Sequence, residues 1–269
     1  MAIALAKVLP VLAEIAPLEL AEDWDNVGLL LEPSRRRSVS RILLTIDLTE
    51  AVLDEAVRER AELVVAYHPP IFAPLRRLTG TDPKERTLLR CIERRIAVYS
   101  PHTALDAVVG GVNDWLAQGL GSGQRRPIDP VETDADGGVT GKGRLVSLDR
   151  PVALATVVRR VKAHLGLARV RVARASGHAG GGKVRRVALC AGAGASVLEG
   201  VDADVYWTGE MRHHDVLAAN AAGVSVILCE HTNTERGYLD VLSARLAEAV
   251  GGGVRLLVSR VDRDPLEVA

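Results

Sequence analysis

Aromatic residues are scarce in this sequence of 269 residues, which has one phenylalanine, three tryptophans and four tyrosines. Lysine is scarce as well, and the preference for arginine indicates the composition of a GC-rich genome rather than a function. Neither sign of charge is in excess, because 34 basic residues balance 34 acidic ones. The sequence therefore predicts no general attraction to nucleic acid or to an anionic membrane, and no helix collects basic residues for DNA binding.

Cysteine and long apolar runs are also few. The three cysteines, Cys91, Cys190 and Cys229, are too widely spaced for a zinc ribbon, and an odd number is a poor disulfide framework. We expect them to be buried, reduced thiols. No uninterrupted apolar run approaches the roughly 20 residues that span a membrane, and the apolar N-terminus contains charged residues that favour an amphipathic helix over a signal peptide. These features predict a cytoplasmic protein.

The rest of the composition is that of a globular protein, with 48% hydrophobic and 25% charged residues. Short apolar runs alternate with segments of helical spacing, as in the strand 41–47, the helix 49–60 and the strand 62–66. This alternation predicts βαβ units, and hence an α/β fold with mainly parallel sheets. Later helices are predicted over residues 83–95, 104–120, 151–165, 211–222 and 234–250.

Residues 121–143 interrupt this alternation. They have no apolar period and are dense in glycine, proline and aspartate, which predicts a linker or a long surface loop. The sequence therefore predicts two α/β domains, 1–125 and 126–269, with the C-terminal segment as a candidate to pack back on the first.

Five of the seven histidines lie in three segments at or just after the ends of predicted strands. Ligands bind at that edge of open α/β sheets. His102 and Asp106 are four residues apart, as are His231 and Glu235, and residues at this spacing share one face of a helix. With His68, they supply five nitrogen and oxygen ligands for Zn, Mn, Fe, Co or Ni, enough for two ions if one carboxylate bridges.

A simpler interpretation of each pair exists. The spacing His-x-x-x-Asp/Glu is common by chance, and most such pairs are solvated surface residues. His68 alone would be a strand-end histidine that is hydrogen-bonded to backbone and kept rigid by the two prolines after it.

Glu210, His213 and His214 form a further polar run. On one helix Glu210 would share a face with the two histidines, and the three residues would orient metal ligands or transfer protons as catalytic acid or base groups. The alternative is a plain first helical turn in which Glu210 complements the helix dipole.

Two other segments have both a structural and a functional interpretation. Trp24 and Asp25 lie in a turn, either with the tryptophan packed on the core or as an aromatic and an acid that overhang a substrate pocket. Residues 190–196 follow a strand and enter a helix, and a tight turn is favoured there over an anion-binding loop.

Several segments resemble a known family. They run in order along almost the whole chain and include WDNVGLLLE (24–32), YHPPIF (67–72), YSPHTALDAVVGGVNDWL (99–116), TGEMRHHDVL (208–217) and ILCEHTNTERGYL (227–239). The chain is similar to the Nif-three-like proteins, also called dinuclear metal-centre hexamers or GTP cyclohydrolase I type 2 homologues, and most of all to their eukaryote-type branch. The resemblance implies two interlinked α/β domains, a toroidal homohexamer and a metal site in an interdomain cleft.

The resemblance also implies ligands and their number. His68, Asp106, His231 and Glu235 match the metal ligands of the family, with Glu235 as the bridging carboxylate, and His102 matches a histidine close to the metals. One or two divalent ions per subunit are therefore expected.

The sequence departs from the family at Tyr67. Most bacterial members have a further histidine there, whereas the eukaryote-type branch has tyrosine. Neutral tyrosine is a poor donor because its pKa is near 10. The second ion is thus expected to be weak, absent, or held with help from His102 or His213.

Two functions follow from the resemblance. The first is a metal-dependent hydrolase that acts on the guanine ring of GTP or on a phosphate ester, with Glu210, His213 or His214 moving protons. The second is a non-catalytic hexameric scaffold that binds regulatory protein partners and keeps a structural or vestigial metal site. Neither function requires a membrane or nucleic acid.

Overall fold

The structure is a computed structural model that describes residues 2–34, 38–133 and 137–266. The strands are β1 Ile3–Ala4, β2 Gly28–Leu31, β3 Ser38–Val39, β4 Arg41–Thr45, β5 Leu63–Ala66, β6 Ala97–Ser100, β7 Gly123–Arg126, β8 Asp129–Thr133, β9 Val139–Lys142, β10 Arg144–Ala153, β11 Arg171–Ala173, β12 Lys183–Cys190, β13 Val205–Thr208, β14 Ser225–Leu228 and β15 Arg255–Val258. The helices are α1 Leu5–Ile15, α2 Glu50–Arg58, α3 Pro83–Arg94, α4 His102–Ala107, α5 Val112–Gln118, α6 Leu154–Leu165, α7 Ser176–Ala179, α8 Ala195–Leu198, α9 His213–Ala221 and α10 Tyr238–Val250.

The chain divides into two compact units. The first contains Met1–Leu105 and Tyr238–Arg263, and the second contains Asp106–Gly237 and Asp264–Ala269. The first break falls inside α4, whereas the sequence predicts the boundary at residues 125/126. The C-terminal α10 and β15 belong to the first unit because β15 pairs with β4 in its sheet.

The first unit is built on a five-stranded sheet with the order β15-β4-β5-β6-β2. Its strands are parallel except β2, which runs antiparallel to β6 at the edge. Strands β4 and β5 are buried along almost their whole length, as expected of parallel strands with both faces covered. Leu53 of α2 and Leu88 of α3 pack on one face, against Val64 and Val98. The predicted βαβ arrangement is confirmed in this unit.

The second unit is built on a six-stranded sheet with the order β11-β14-β13-β12-β10-β7. Strands β12, β13 and β14 are parallel to one another, and the outer strands run antiparallel to their neighbours. Leu198 of α8 and Ala219 of α9 pack with Ala188 and Val226 of the sheet. In both units the parallel strands end at one edge, and the α/β class predicted from the sequence is confirmed.

The prediction of a loop over residues 121–143 is wrong. Strand β7 pairs with β10, and β8 pairs with β9 as a separate antiparallel hairpin. Strands β7 and β8 are largely exposed. Because these strands are themselves built mainly from polar residues, they show none of the apolar alternation by which a strand is recognised.

Three predicted helices are divided or begin later than expected. The helix over 104–120 is divided into α4 and α5 by Gly110, which has a φ of +71°, and by Gly111, the N-cap of α5. The helix over 234–250 begins only at Tyr238, after a 3-10 turn over Thr232–Thr234. Pro151 lies in β10 rather than in the first turn of α6.

The cysteine prediction is confirmed. All three cysteines are buried, and none of them forms a disulfide. Burial raises the pKa of the Cys91 and Cys229 thiols to about 12, so both stay protonated at neutral pH. Among the residues that the structure describes, no helix has both the length and the apolar character needed to cross a bilayer.

Candidate functional site

In the second unit, His231 lies between two carboxylates just after β14. Its Nδ1 is 2.8 Å from Oε1 of Glu210, and its Nε2 is 3.3 Å from Oε1 of Glu235, whose side chain is almost completely buried. An ionised carboxylate only accepts hydrogen bonds, so Nδ1 donates to Glu210. Nε2 of the same ring is directed at Glu235. The ligand atoms of His231 and Glu235 are close enough to hold the same ion.

Gly192 lies against this pair. Its φ is +59°, and a Cβ atom there would lie 2.7 Å from Oε1 of Glu235 and 2.8 Å from Nε2 of His231. Its N–H donates to Oγ1 of Thr234, and the N–H of Gly194 donates to Oγ1 of Thr208. Because these amides bond within the protein, the segment after β12 is the tight turn that the sequence favoured.

Buried Asn113 connects Asp106 to the same turn. Its Oδ1 accepts from the N–H of Ala191 at 2.9 Å, and its Nδ2 donates to the backbone oxygen of Asp106 at 3.1 Å. The backbone of Asp106 is therefore fixed relative to the loop that lies beside His231. Sequence reasoning missed Asn113. The feature that could have pointed to it is the presence of a polar residue on the buried face of a short helix.

In the first unit, two more histidines follow strand ends. Nδ1 of His68, after β5, is 3.0 Å from Oδ1 of Asp47, which follows β4. Nδ1 of His102, after β6, is 2.7 Å from Oδ1 of Asp25. The two imidazole rings are neighbours, with centroids 5.3 Å apart. His102 has a φ of +28°, a strained value for a residue other than glycine that is typical of functional positions.

Asp25 is the acid that holds His102. Its side chain is fully buried and also accepts hydrogen bonds from the N–H and Oγ1 of Thr103. Burial raises the pKa of Asp25, but the hydrogen bonds from His102 and Thr103 outweigh it and the pKa lies below its usual value. Asp25 is thus a carboxylate that orients the imidazole. The sequence pointed to Asp25 as part of a turn, not as a partner of His102.

Tyr67 is buried beside both histidines. Its ring centroid lies 5.2 Å from that of His68 and 5.8 Å from that of His102. Its backbone oxygen accepts from Oγ of Ser100 at 2.8 Å. Tyr67 is therefore a packed part of this cluster.

The run Glu210, His213 and His214 does not form one helical face. Helix α9 begins at His213, so Glu210 precedes it, and the helix-face arrangement is wrong. The side chain of Glu210 contacts His231 instead. His213 and His214 are exposed and contact each other, with ring centroids 5.4 Å apart.

One arrangement therefore recurs three times. His68, His102 and His231 each have Nδ1 within 3.0 Å of a carboxylate oxygen. Histidines that bind metals through Nε2 characteristically donate their other N–H to a carboxylate, which fixes the tautomer and the ring orientation. The donor chemistry of the two clusters thus fits divalent transition metals.

Known proteins are similar to this chain over nearly its whole length. The family model described as "Duf34/NIF3 (NGG1p interacting factor 3)" matches residues 3–265. Among similar proteins, Protein NIF3 homolog of Schizosaccharomyces pombe is 46% identical over 97% of this chain and 96% of its own. NIF3-like protein 1 of Rattus norvegicus is 40% identical over 96% of this chain and 90% of its own.

A solved structure shows the same fold. The Bacillus cereus protein related to NIF3 superimposes with a TM-score of 0.89 over 100% of both chains, at 21% sequence identity. The family match and the two relatives extend over nearly the whole sequence. The chain is a member of the DUF34/NIF3 family.

Proposed function

We propose that this protein is a metal-dependent hydrolase whose metal ligands are His68, His102, Asp106, His231 and Glu235. The observation that supports this proposal most directly is His231, which has one ring nitrogen on Glu210 and the other directed at buried Glu235. Two acceptors that face each other at this distance repel unless a cation or a proton lies between them.

The types of ligand atom limit which metal ions can bind. Imidazole nitrogens and carboxylate oxygens suit Zn, Mn, Fe, Co or Ni, and the choice among them depends on availability. Such an ion supplies Lewis acidity and makes hydroxide available near neutral pH. Glu210 acts by holding the imidazole of His231, so we assign it a positioning role. His213 and His214 stay candidates for proton transfer because they are exposed next to Glu210 in the chain.

The proposed substrate is a nucleotide or another phosphate ester. Water would cleave the ester bond or, in the GTP cyclohydrolase reaction that the family resemblance implies, open the imidazole ring of the purine by breaking a bond at the carbon between its two nitrogens. All three cysteines are buried thiols outside any disulfide, which supports action in a reducing compartment such as the cytoplasm. We also propose that the protein forms a homohexamer, because the family resemblance implies one.

A second candidate function is a protein-binding scaffold. The family description contains the words "NGG1p interacting factor", which suggest a protein partner. Buried Tyr67 favours this alternative, because it occupies the position of a ligand histidine without offering a strong donor. In that case the remaining ligands would hold one structural ion.

Metal analysis combined with an activity assay separates the two functions. The wild type, Glu235→Ala and the matched control Glu248→Ala, which changes an exposed glutamate of α10, would be purified without chelator or nickel and analysed by elemental mass spectrometry. We expect one or two ions per chain in the wild type and the control, and fewer in Glu235→Ala. The metal-loaded protein is then assayed with nucleotides and phosphate esters.

Each result has a direct meaning. Turnover that is lost in Glu235→Ala but kept in Glu248→Ala supports the hydrolase. Metal without turnover, together with an altered assembly in Glu235→Ala, supports the scaffold. Wild-type protein without metal contradicts both forms of the metal proposal.

A further inference from the structure

Two aromatic side chains are exposed in a protein that has few. Trp24 is 59% exposed and Phe72 is 53% exposed, whereas the other six aromatic residues are buried. The two exposed rings are neighbours, with centroids 5.9 Å apart and planes inclined at 52°. Keeping two large apolar rings in water is unfavourable, and an exposed aromatic pair commonly marks a binding surface.

The loops that carry these rings are held in place. Asp25, next to Trp24, is buried and accepts hydrogen bonds from His102 and Thr103. Nδ2 of Asn26 donates to the backbone oxygen of Ile71, the residue before Phe72, at 2.5 Å. One hydrogen bond therefore joins the two loops directly. Trp24 projects from an anchored turn, so the aromatic surface exists before any ligand arrives.

The pair lies beside a candidate metal ligand. The His102 ring is edge-on to both, 6.1 Å and 75° from Trp24 and 6.4 Å and 74° from Phe72. A molecule that rests on these rings would therefore be next to His102. This proximity connects the aromatic surface to the proposed chemistry.

We infer that Trp24 and Phe72 form a stacking platform for a planar heteroaromatic ring of the substrate, such as a purine base. The inference rests on the proposed function and names its substrate class. Aromatic faces bind bases by stacking whatever the base, and flat polar rings match an exposed tryptophan better than an aliphatic chain does. Because the planes are inclined at 52°, a bound ring can stack on one side chain and meet the other obliquely.

Tryptophan fluorescence provides a direct test. Trp115 and Trp207 are buried, so quenching by a ligand on the surface reports on Trp24. Metal-loaded protein would be titrated with guanosine 5′-monophosphate, and with ribose 5-phosphate as the control without a base, under excitation at the red edge of tryptophan absorption. We expect saturable quenching by the nucleotide and none by the sugar phosphate.

Substitutions of Trp24 and Phe72 test whether these two side chains bind the nucleotide. Calorimetric titration should show that Phe72→Leu and Trp24→Leu weaken nucleotide binding by about tenfold, the loss expected for one stacking contact. The matched control is Leu75→Ala, a 45% exposed leucine in the same segment, which should bind as the wild type does. All three variants should keep the wild-type metal content.

The outcomes separate this inference from the proposed function. Normal metal content without nucleotide quenching overturns the platform and leaves the hydrolase proposal intact. Saturable quenching in protein that binds no metal supports the platform and contradicts the hydrolase. If Trp24→Leu changes the oligomeric state but not the nucleotide affinity, the surface is an interface between copies of the chain and the inference is wrong.

Discussion

Nδ1 of His231 lies 2.8 Å from Oε1 of Glu210, a residue that precedes it by 21 positions in the chain. The two residues meet because β13 and β14 are parallel neighbours and end at the same edge of the sheet. Glu210 thereby sets which ring nitrogen of His231 carries the proton. The second nitrogen is left for Glu235 and for the ion that we propose.

We expect Glu210→Gln to reduce metal affinity without unfolding the protein. Glutamine keeps the shape of the side chain but loses the charge that stabilises the Nδ1–H of His231. Loss of such an outer partner typically costs about 10- to 100-fold in metal affinity. Competition with a chelator at fixed pH measures the loss, with Glu248→Gln as the control. Equal affinities in the two variants would contradict the positioning role.

Gly192→Ala should disturb both the fold and the proposed metal ligands. The new Cβ would lie 2.7 Å from Glu235 and 2.8 Å from His231, so these side chains must move. Gly166→Ala is a matched control, because Gly166 has a similar φ of +67° and nothing within 4 Å of its Cβ position. Both substitutions carry a backbone strain of about 1–2 kcal/mol.

The comparison isolates the steric effect at the ligands. We expect both variants to lower the free energy of unfolding, measured by urea denaturation, and only Gly192→Ala to lose metal. Metal loss in Gly166→Ala as well would assign the effect to general destabilisation.

Tyr67→His should raise the metal content. The ring at this position already neighbours His68 and His102, so an imidazole would place a stronger donor in the same cluster. If the wild type holds one ion per chain, we expect the variant to approach two by elemental mass spectrometry. Tyr67→Phe serves as the control and should leave the count unchanged. No increase would mean that position 67 does not limit the number of ions.

Cys91 should make stability depend on pH in the alkaline range. Burial raises the pKa of its thiol to about 12, whereas the ordinary value, which applies to the unfolded chain, is 9.0. Between these values the unfolded chain releases the proton and the folded protein retains it. The contribution of the thiol is therefore complete below pH 9 and is lost as pH rises towards 12, at about 1.4 kcal/mol per pH unit.

Urea unfolding at several pH values checks this expectation. Cys91→Ala leaves a small cavity and should be less stable at pH 7. Its free energy of unfolding should fall less steeply than that of the wild type above pH 9, so the two curves converge. Parallel curves would show that Cys91 does not titrate as its burial requires.

Much of the fold could be predicted from local pattern. The runs at residues 41–47 and 62–66 are apolar because parallel strands are covered on both faces, and their helical neighbours show the matching period. The stretch 121–143 could not be predicted in this way. Its strands β7 and β8 are exposed, and only the backbone pairing of β7 with β10 and of β8 with β9 makes them parts of sheets.

The candidate site could also be predicted in part from local sequence pattern. Histidines at strand ends pointed to one edge of each sheet, and the pair His231 and Glu235 meets as its spacing suggested. The sequence did not predict which carboxylates orient the histidines. Asp25 contacts His102 across 77 positions of sequence, and no local period encodes that contact.

The sequence by itself determined the alternation of strands and helices, the residue types of the candidate ligands and the family. Only the tertiary structure decided which acid orients each histidine, why position 192 is glycine and why Trp24 stays exposed. The physical reason is distance along the chain. Hydrophobic period is a property of neighbouring residues, whereas hydrogen-bond partners and close approaches are chosen by how separate segments pack.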